Sequence, residues 1–228
     1  MTIRNSNAYH YNQKEVLRTF VLNFIKEHQI RSLLDIGAGF IETAKIYQKA
    51  VEEYLAIEQD SERASKLLEE KIPTRILKFP AALEETFDMV LSSHSIPEVK
   101  SEYYPYLKTA LNLLNPGGSL VIITFKGAQS TLLKLSIELL GEKGFAFPDP
   151  LNQEMMDILS QFGSPVITNI TSIERSTDPD DLIRTLCFSF RVDFSEWRSR
   201  LLEILETRFK DNKGYFFPHE HAVIVLNT

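Results

Sequence analysis

An acidic residue and a Gly-X-Gly turn follow an apolar run near the start of this chain, at Asp35, Gly37 and Gly39. A second apolar run ends at Glu58, about twenty residues further along, where a carboxylate can bind both ribose hydroxyls of an adenosine. Glycine lets the backbone approach a ligand closely, and the helix that follows presents its free N–H groups to that ligand. Together these residues predict a binding site for a nucleoside cofactor.

The residue at position 42 narrows the choice of cofactor. Dinucleotide-binding proteins carry a third glycine there, so that a pyrophosphate can rest on the helix N-terminus, whereas this chain carries Glu42. Its carboxylate would repel a diphosphate, and no Gly-Lys-Ser/Thr segment follows to hold phosphates. The sequence therefore favours a cofactor without phosphates, of which S-adenosylmethionine is one.

Four segments, in the expected order, resemble the class I S-adenosylmethionine-dependent methyltransferases. They are residues 33–40, 54–60, 87–94 and 114–123, the last with a Leu-x-Pro-Gly-Gly turn before a strand. The chain departs from the family at Ile41, where many members have another glycine. The resemblance implies an α/β fold with a Rossmann-like, mostly parallel seven-stranded sheet flanked by helices. It also implies S-adenosylmethionine as cofactor and S-adenosylhomocysteine as product.

The hydrophobic spacing predicts alternating strands and helices, which favours a parallel sheet. Helices are expected at residues 13–28, 41–50, 61–70, 103–114, 132–140, 151–162, 180–190 and 194–209. Further strands are expected at residues 74–77, 119–125, 165–170 and 221–226. We expect a single domain over residues 1–228, with a cofactor-binding core at 12–126 and a substrate-side half at 127–228. A helical lid at about residues 172–217 would lie between the last two strands.

Open parallel sheets bind ligands beyond the carboxyl ends of their strands, and the resemblance places the cofactor at that edge. We expect Asp35 and the glycine turn to hold its methionine end, and Glu58 its ribose. Two alternatives stay open, since Glu58 could end its strand in solvent and Asp35 could cap a helix. The full set of expected cofactor-binding residues is Asp35, Gly37, Ala38, Gly39, Glu58, Gln59, Ala81, Ser92 and Ser93.

Two residues after the fourth strand are the expected catalytic pair. His94 and Glu98 stand where the resembled family places residues that face the substrate. Methyl transfer from a sulfonium is an in-line displacement, so the protein mainly aligns the reactants and excludes water. A protonated amine must also lose its proton to a carboxylate, a histidine or a water path. The alternative for His94 is that it only caps the turn.

Aromatic and histidine side chains mark the expected substrate pocket, namely Tyr11, Tyr103, His219 and His221. An aromatic face attracts a cationic amine, although Tyr103 could also be an ordinary half-buried helix residue. His219 and His221 would point to the same side of an extended chain. Two histidines without a third ligand do not make a zinc site, so we expect no metal and place both histidines in the pocket.

The back half resembles one branch of the family, the small-molecule amine methyltransferases typified by histamine N-methyltransferase. The likeness lies in the order of a segment ending near Phe147-Pro148, a helix through Met155, the helix at 180–190 and an aromatic-rich last strand. It implies methyl transfer to a small molecule, with an amine nitrogen as the first candidate and a hydroxyl or carboxylate as the alternative. A non-catalytic S-adenosylmethionine-binding regulatory protein and a protein or RNA methyltransferase are the other two alternatives.

Charge and cysteine content exclude several classes of protein. The 228 residues carry a formal charge of −6, and their basic residues are scattered, whereas nucleic-acid surfaces need clustered Lys and Arg. The single cysteine, Cys187, cannot form an internal disulfide. No apolar run is long enough to cross a bilayer, and the N-terminus has no apolar signal core. We therefore expect a cytoplasmic monomer without nucleic-acid or membrane partners.

Overall fold

The computed structural model describes residues 9–97, 99–141 and 153–228. These residues form eight α-helices and nine β-strands. The strands are β1 (Tyr9–Tyr11), β2 (Ser32–Ile36), β3 (Glu53–Glu58), β4 (Thr74–Ile76), β5 (Phe87–Ser93), β6 (Leu114–Phe125), β7 (Val166–Ser176), β8 (Lys210–Asp211) and β9 (Gly214–Asn227). The helices are α1 (Gln13–Glu27), α2 (Ile41–Ala50), α3 (Ser61–Glu69), α4 (Tyr103–Asn112), α5 (Thr131–Leu140), α6 (Gln153–Ser160), α7 (Pro179–Phe190) and α8 (Phe194–Arg208).

The described chain divides into two compact units. The larger unit comprises residues 17–97, 99–126, 153–170 and 221–228, and the smaller unit comprises residues 9–16, 127–141 and 171–220. Strands β7 and β9 each contribute residues to both units. The organisation of residues 1–228 as a single domain remains a prediction.

The larger unit is built on a mixed sheet with the strand order β9-β6-β5-β2-β3-β4. Strands β2 to β6 pair in parallel, and the last strand, β9, is antiparallel to β6. Residues Ser119 to Phe125 pair with residues Asn227 to His221 in this last ladder. Because the carboxyl ends of the parallel strands lie at one edge, the loops that follow them meet there.

Strand β2 is buried along its whole length, and three of its five residues, Leu33, Leu34 and Ile36, are apolar. Leu34 and Ile36 face a cluster that includes residues of helices α4 and α6. Leu33 faces the opposite cluster, which includes residues of helices α1, α2 and α3. The alternation of side chains along the strand therefore produces a helix–sheet–helix arrangement within the larger unit.

The smaller unit packs helices α5, α7 and α8 around a core that contains Phe217. Helix α7 begins at the N-cap Asp178 and Pro179, as its Asp-Pro-Asp start indicates. Strand β1 pairs with β7, and β8 pairs with β9, both antiparallel. The Asn12 side chain extends the first pairing, since its Oδ1 accepts a hydrogen bond from the backbone N–H of Ile173 at 2.7 Å.

The expected α/β fold is confirmed, but two expectations about its details need correction. The described residues contain nine strands rather than seven, because β1 and β8 are short segments that have no apolar run and form only by pairing. Residues 172–217 contain α7 and α8, as expected, but also the end of β7, all of β8 and the start of β9. The role of this region as a lid remains a prediction.

Most element boundaries differ from the expected ones by only a few residues. Helix α2 spans Ile41–Ala50 as expected, whereas β6 begins at Leu114, before the Pro-Gly-Gly turn. The segment ending near Phe147-Pro148 lies outside the described residues. Within the described ranges, no helix combines the length and the apolar composition needed to span a bilayer.

The Pro-Gly-Gly turn offers a test of this packing. A Cβ added to Gly118 would lie 2.9 Å from the carbonyl oxygen of Asn115 and 3.0 Å from that of Asp88. Gly118→Ala should therefore lower the free energy of unfolding by about 1 to 3 kcal/mol through overpacking. Urea denaturation measures this change.

The neighbouring substitution Gly117→Ala is the comparison. Its Cβ would meet no atom within 4 Å, so its cost comes only from the left-handed backbone at φ +80°. That strain is about 1 kcal/mol. If the Gly118→Ala protein unfolded at the same urea concentration as the original chain, the close packing of the Asn115 and Asp88 carbonyl groups against Gly118 would be contradicted.

Candidate cofactor and acceptor site

A cavity of about 450 Å³ opens at the carboxyl ends of the parallel strands in the larger unit. Its apolar wall consists of Ile36, Ile57, Leu77, Phe79, Ile96 and Pro97. Its polar groups come from Glu58, Gln59, Arg63, Lys78, His94, Ser95, Glu102 and Tyr106, and Gly37 completes the lining. A concave site of this size that combines an apolar wall with converging polar groups can hold a small molecule.

Glu58 lies at the centre of this site. Its Oε2 accepts a hydrogen bond from the backbone N–H of Gly39 at 3.1 Å, and its Oε1 accepts one from the N–H of Asp60 at 2.9 Å. The residue is only 5% exposed, so the two hydrogen bonds fix the carboxylate in place. An ionised carboxylate offers about four lone-pair sites, which leaves each oxygen able to accept one more hydrogen bond.

The glycine turn has the conformation that its sequence indicates. Gly37 and Gly39 have φ values of +76° and +41°, a region that glycine adopts without strain. The N–H of Gly37 donates to the carbonyl of Ile57 at 2.7 Å, so the turn is hydrogen-bonded to the end of β3. A Cβ at position 37 would lie 2.6 Å from the Cβ of Ser95, which excludes any larger residue there.

A chain of hydroxyl groups joins this turn to the segment after β5. Ser95 Oγ donates to the carbonyl of Ile36 at 2.5 Å and lies 3.2 Å from Ser92 Oγ. Ser92 Oγ in turn lies 2.7 Å from the hydroxyl of Tyr106. Burial raises the pKa of Tyr106 to about 12, so its phenol remains neutral. The chain ties the turn after β2 to the loop that carries His94.

Asp35 lies outside the cavity lining, on the other face of its strand. Its carboxylate accepts a hydrogen bond from the Tyr54 hydroxyl at 2.9 Å and is 4% exposed. Burial raises the pKa of Asp35 to about 6, and the negative charge of Glu58 adds to this rise, while the Tyr54 hydrogen bond opposes it. Asp35 thus contacts Tyr54 at the end of the strand that leads into the glycine turn. Its role toward the methionine end of the cofactor remains a prediction.

His94 adopts a left-handed backbone conformation, with φ +53°. Its N–H donates to the carbonyl of Ile123 at 2.8 Å, and its ring lies 4.6 Å from the Phe125 ring and 5.2 Å from the His221 ring. His94 is an exposed residue, but the protein atoms packed around its imidazole displace part of its hydration and lower its pKa to about 4. The imidazole is therefore neutral at physiological pH.

The remaining expected cofactor residues that the structure describes divide into three groups. Gln59 lines the cavity beside Glu58. Ala38 and Ser92 are buried below the lining, and Ser92 contributes through its contact with Tyr106. Ala81 and Ser93 are partly exposed and lie outside the lining. Glu98, the second expected catalytic residue, lies outside the described residues, so its role remains a prediction.

The expected substrate residues are not all brought together. Tyr103 is 1% exposed and packs in the core, because the helix turns its side chain away from solvent, so a direct substrate contact is not supported. Tyr11 and His219 belong to the smaller unit, where their rings lie 5.0 Å apart. Burial raises the pKa of the Tyr11 phenol. His221, in the larger unit, is fully buried beside His94.

His219 takes part in a buried polar network rather than an open pocket. Its Nε2 lies 3.0 Å from Glu174 Oε2, and Glu174 Oε1 accepts from the Thr185 hydroxyl at 2.6 Å. His219 and Glu174 are 5% and 1% exposed. Within the described residues, no group of three His, Cys, Asp or Glu side chains is arranged to hold a metal ion.

Several cavity residues were missed by the sequence reasoning. Arg63 and Lys78 are single charged residues without a motif around them, and nothing in their spacing predicts that they face the cavity. Tyr106 could have been found, since it follows Tyr103 by three residues and so shares its helix face. Phe125 lies outside the lining but beside His94; it ends the apolar run of β6 and could have been placed at the same edge as Ser93.

Comparison with known proteins agrees with this geometry. Residues 34–122 match the sequence model of a family described as a methyltransferase domain. Curated protein sequences give no match. Residues 34–122 are therefore similar to a methyltransferase domain, and this stretch includes the glycine turn, Glu58 and His94.

Solved structures share the fold. The N-methyltransferase NodS from Bradyrhizobium japonicum WM9, in complex with S-adenosyl-L-homocysteine, aligns with a TM-score of 0.58 at 10% identity, over 95% of this chain and 88% of that one. The YcgJ protein from Bacillus subtilis aligns with a TM-score of 0.60 at 16% identity, over 92% of this chain and 98% of that one. The domain match and the fold support an enzyme of the methyltransferase class with S-adenosylmethionine as its cofactor.

The raised pKa of Asp35 predicts a pH-dependent stability. The pKa of Asp35 in the folded protein, about 6, exceeds the usual value of 3.8. The contribution of Asp35 to the free energy of unfolding is therefore fully present below about pH 4 and is lost as the pH rises through 6. Relative to Asp35→Asn, the original chain should lose roughly 1 to 3 kcal/mol of unfolding free energy across this interval. Urea denaturation of both proteins at several pH values measures it, and parallel pH curves would contradict the buried-carboxylate interpretation.

The hydroxyl chain predicts an effect of Ser95→Ala. Loss of the hydrogen bond to Ile36 frees the glycine turn, so the dissociation constant for S-adenosylhomocysteine should rise about 3- to 10-fold. Calorimetric titration measures the constant. Ser65→Ala is the matched control, because it removes a similar hydroxyl-to-carbonyl bond on an exposed face of α3. Equal affinities of the Ser95→Ala protein and this control would rule out the positioning role.

Proposed function

We propose that this chain transfers a methyl group from S-adenosylmethionine to an amine nitrogen of a small molecule. The observation that supports the cofactor site best is the Glu58 carboxylate. Each of its two oxygens accepts a hydrogen bond from a backbone N–H group, and each can accept one more from a ligand in the cavity. Two hydroxyl groups on adjacent carbons, as in a ribose, match this pair of acceptors.

The rest of the cavity fits the other parts of the cofactor. Ile57, Leu77 and Phe79 offer an apolar wall for a purine, and the Gln59 carboxamide can donate and accept hydrogen bonds at its edge. Gly37 and Gly39 keep the turn narrow, so a ligand can approach the backbone closely. We assign the methionine end to this turn, with Asp35 supporting it from below.

When bound, S-adenosylmethionine supplies an electrophilic methyl group on a sulfonium with its own leaving group. The residues of the chain need only align the acceptor and exclude water. His94 is the residue that we assign to the acceptor. Its neutral imidazole can accept a hydrogen bond from an N–H or O–H group, and it does not repel a cationic amine. The acceptor proton leaves to water or to Glu98, whose catalytic role is also proposed.

The choice of an amine rests on the neutral His94 and on the fold. NodS, which shares the fold, is described as an N-methyltransferase. A hydroxyl or carboxylate acceptor is the second candidate, because the His94 ring could equally accept a hydrogen bond from a hydroxyl. We further propose that the chain belongs to the small-molecule amine branch, and that it acts as a cytoplasmic monomer with no nucleic-acid partner.

Glu58→Gln tests the cofactor site. The substitution keeps the size of the side chain but removes its charge and turns an amide donor toward Gly39 or Asp60, so affinity for S-adenosylhomocysteine should fall at least about 10-fold. Calorimetric titration with S-adenosylhomocysteine, S-adenosylmethionine and NAD measures this. Glu62→Gln, on the exposed face of α3, is the control and should leave the affinity unchanged. If the Glu58→Gln protein bound S-adenosylhomocysteine with unaltered affinity, the proposal that Glu58 binds the ribose would be refuted.

The acceptor is tested by a screen that detects S-adenosylhomocysteine release. Small amines, phenols and carboxylic acids are offered as three sets. Turnover confined to phenols or acids would replace the amine with the second candidate. Binding of S-adenosylmethionine without turnover on any set would favour the regulatory alternative.

A further inference from the structure

Three rings lie together beside the cavity, at the edge of the sheet. Phe125 ends β6, His221 is its register partner on β9, and His94 follows β5, which neighbours β6. Paired residues of an antiparallel ladder present their side chains to the same face, so the register itself places Phe125 beside His221. The ring centroids are separated by 4.6 Å for His94 and Phe125, 5.2 Å for His94 and His221, and 5.5 Å for Phe125 and His221.

Two members of this cluster are open to solvent. His94 and Phe125 are both exposed, Phe125 by 40%, whereas His221 is fully buried behind them. His94 belongs to the cavity lining, so the cluster continues the cavity wall toward the end of β6. An exposed phenylalanine that adjoins a ligand cavity has a surface that a bound molecule can cover.

We propose that His94 and Phe125, with the buried His221 packed behind them, form the acceptor subsite of the proposed methyltransferase, and that this subsite binds a compact organic cation of the alkylammonium class. The inference rests on the proposed function and names the kind of amine that this function requires.

The orientation of the rings favours an ammonium group over a flat aromatic acceptor. The His94 plane makes angles of 49° with Phe125 and 78° with His221. The two accessible rings, His94 and Phe125, are inclined by 49°, so they offer no pair of parallel faces between which a planar molecule could stack. His221 lies at 31° to Phe125 but is fully buried, so no molecule stacks between those two rings. A rounded group can contact both inclined rings at once. Aromatic faces attract cations within about 6 Å of the ring centre.

The charges in the cluster also suit a cation. The lowered pKa of His94 keeps its ring uncharged at neutral pH, so it adds no repulsion. The same neutral ring can accept one hydrogen bond from an ammonium N–H and thereby orient the nitrogen toward the cavity. Phe125 contributes only its ring face, so its removal isolates the cation–π contribution.

Choline and its uncharged isostere 3,3-dimethylbutan-1-ol are the probes that test this subsite. Both are titrated into the protein saturated with S-adenosylhomocysteine, and binding is followed by the NMR shifts of their methyl protons. Choline should bind at least about 3-fold more tightly than the isostere. Phe125→Leu, which keeps an apolar side chain but removes the ring, should weaken choline binding about 3- to 30-fold.

Two further variants guard against indirect effects. Phe188→Leu removes a phenylalanine that is 77% exposed on α7, and it should leave choline binding unchanged. His94→Asn suits the left-handed backbone at that position, and it should also weaken choline binding. The affinity for S-adenosylhomocysteine, measured on the two phenylalanine variants, should stay within twofold of the original value, which shows that the cofactor cavity is intact.

The outcomes separate the two proposals. Equal affinity for choline and its isostere, or choline binding that Phe125→Leu does not change, overturns the cation subsite and leaves the cofactor site standing. Failure of the unaltered chain to bind S-adenosylhomocysteine overturns the proposed function, and the subsite with it.

Discussion

The carboxylate of Glu58 is the contact on which the site depends. Its two oxygens join the end of β3 to the glycine turn after β2 and to the start of α3, through the N–H groups of Gly39 and Asp60. A buried carboxylate that accepts two backbone hydrogen bonds has little freedom to move, so the acceptors that remain face the cavity in a fixed direction. The other loops at this edge are arranged around that fixed point, and the hydroxyl chain through Ser95 ties in the loop after β5.

The sequence could predict the part of the site that is local in the chain. The Gly-X-Gly turn and Glu58 are each set by short-range rules, because positive φ demands glycine and a strand end exposes its last side chain to the ligand edge. The same holds for α2, whose apolar spacing and boundaries agree with the structure. Short strands such as β1 and β8 could not be predicted, since their hydrogen-bond partners lie far away in sequence.

Two of the expected substrate residues are buried in the structure, and their roles remain predictions. Tyr103 and His219 were assigned to the substrate pocket by residue type, but burial is decided by packing partners that the sequence does not reveal. Tyr103 faces the core of the larger unit, and His219 pairs with Glu174. Asp35 shows the same effect on a single strand, where the alternation of side chains directs its carboxylate to Tyr54. By contrast, His94 reaches the cavity because the left-handed turn at this residue redirects the chain.

The antiparallel pairing of β9 with β6 has a further consequence for how such a site can change in evolution. Phe125 and His221 meet only because the two strands are aligned in one register. A shift of that alignment by one residue would turn one of the two rings to the opposite face of the sheet. If these rings bind the acceptor, as proposed, a change in the register of β9 would replace the acceptor-side ring and leave the glycine turn and Glu58 unaltered.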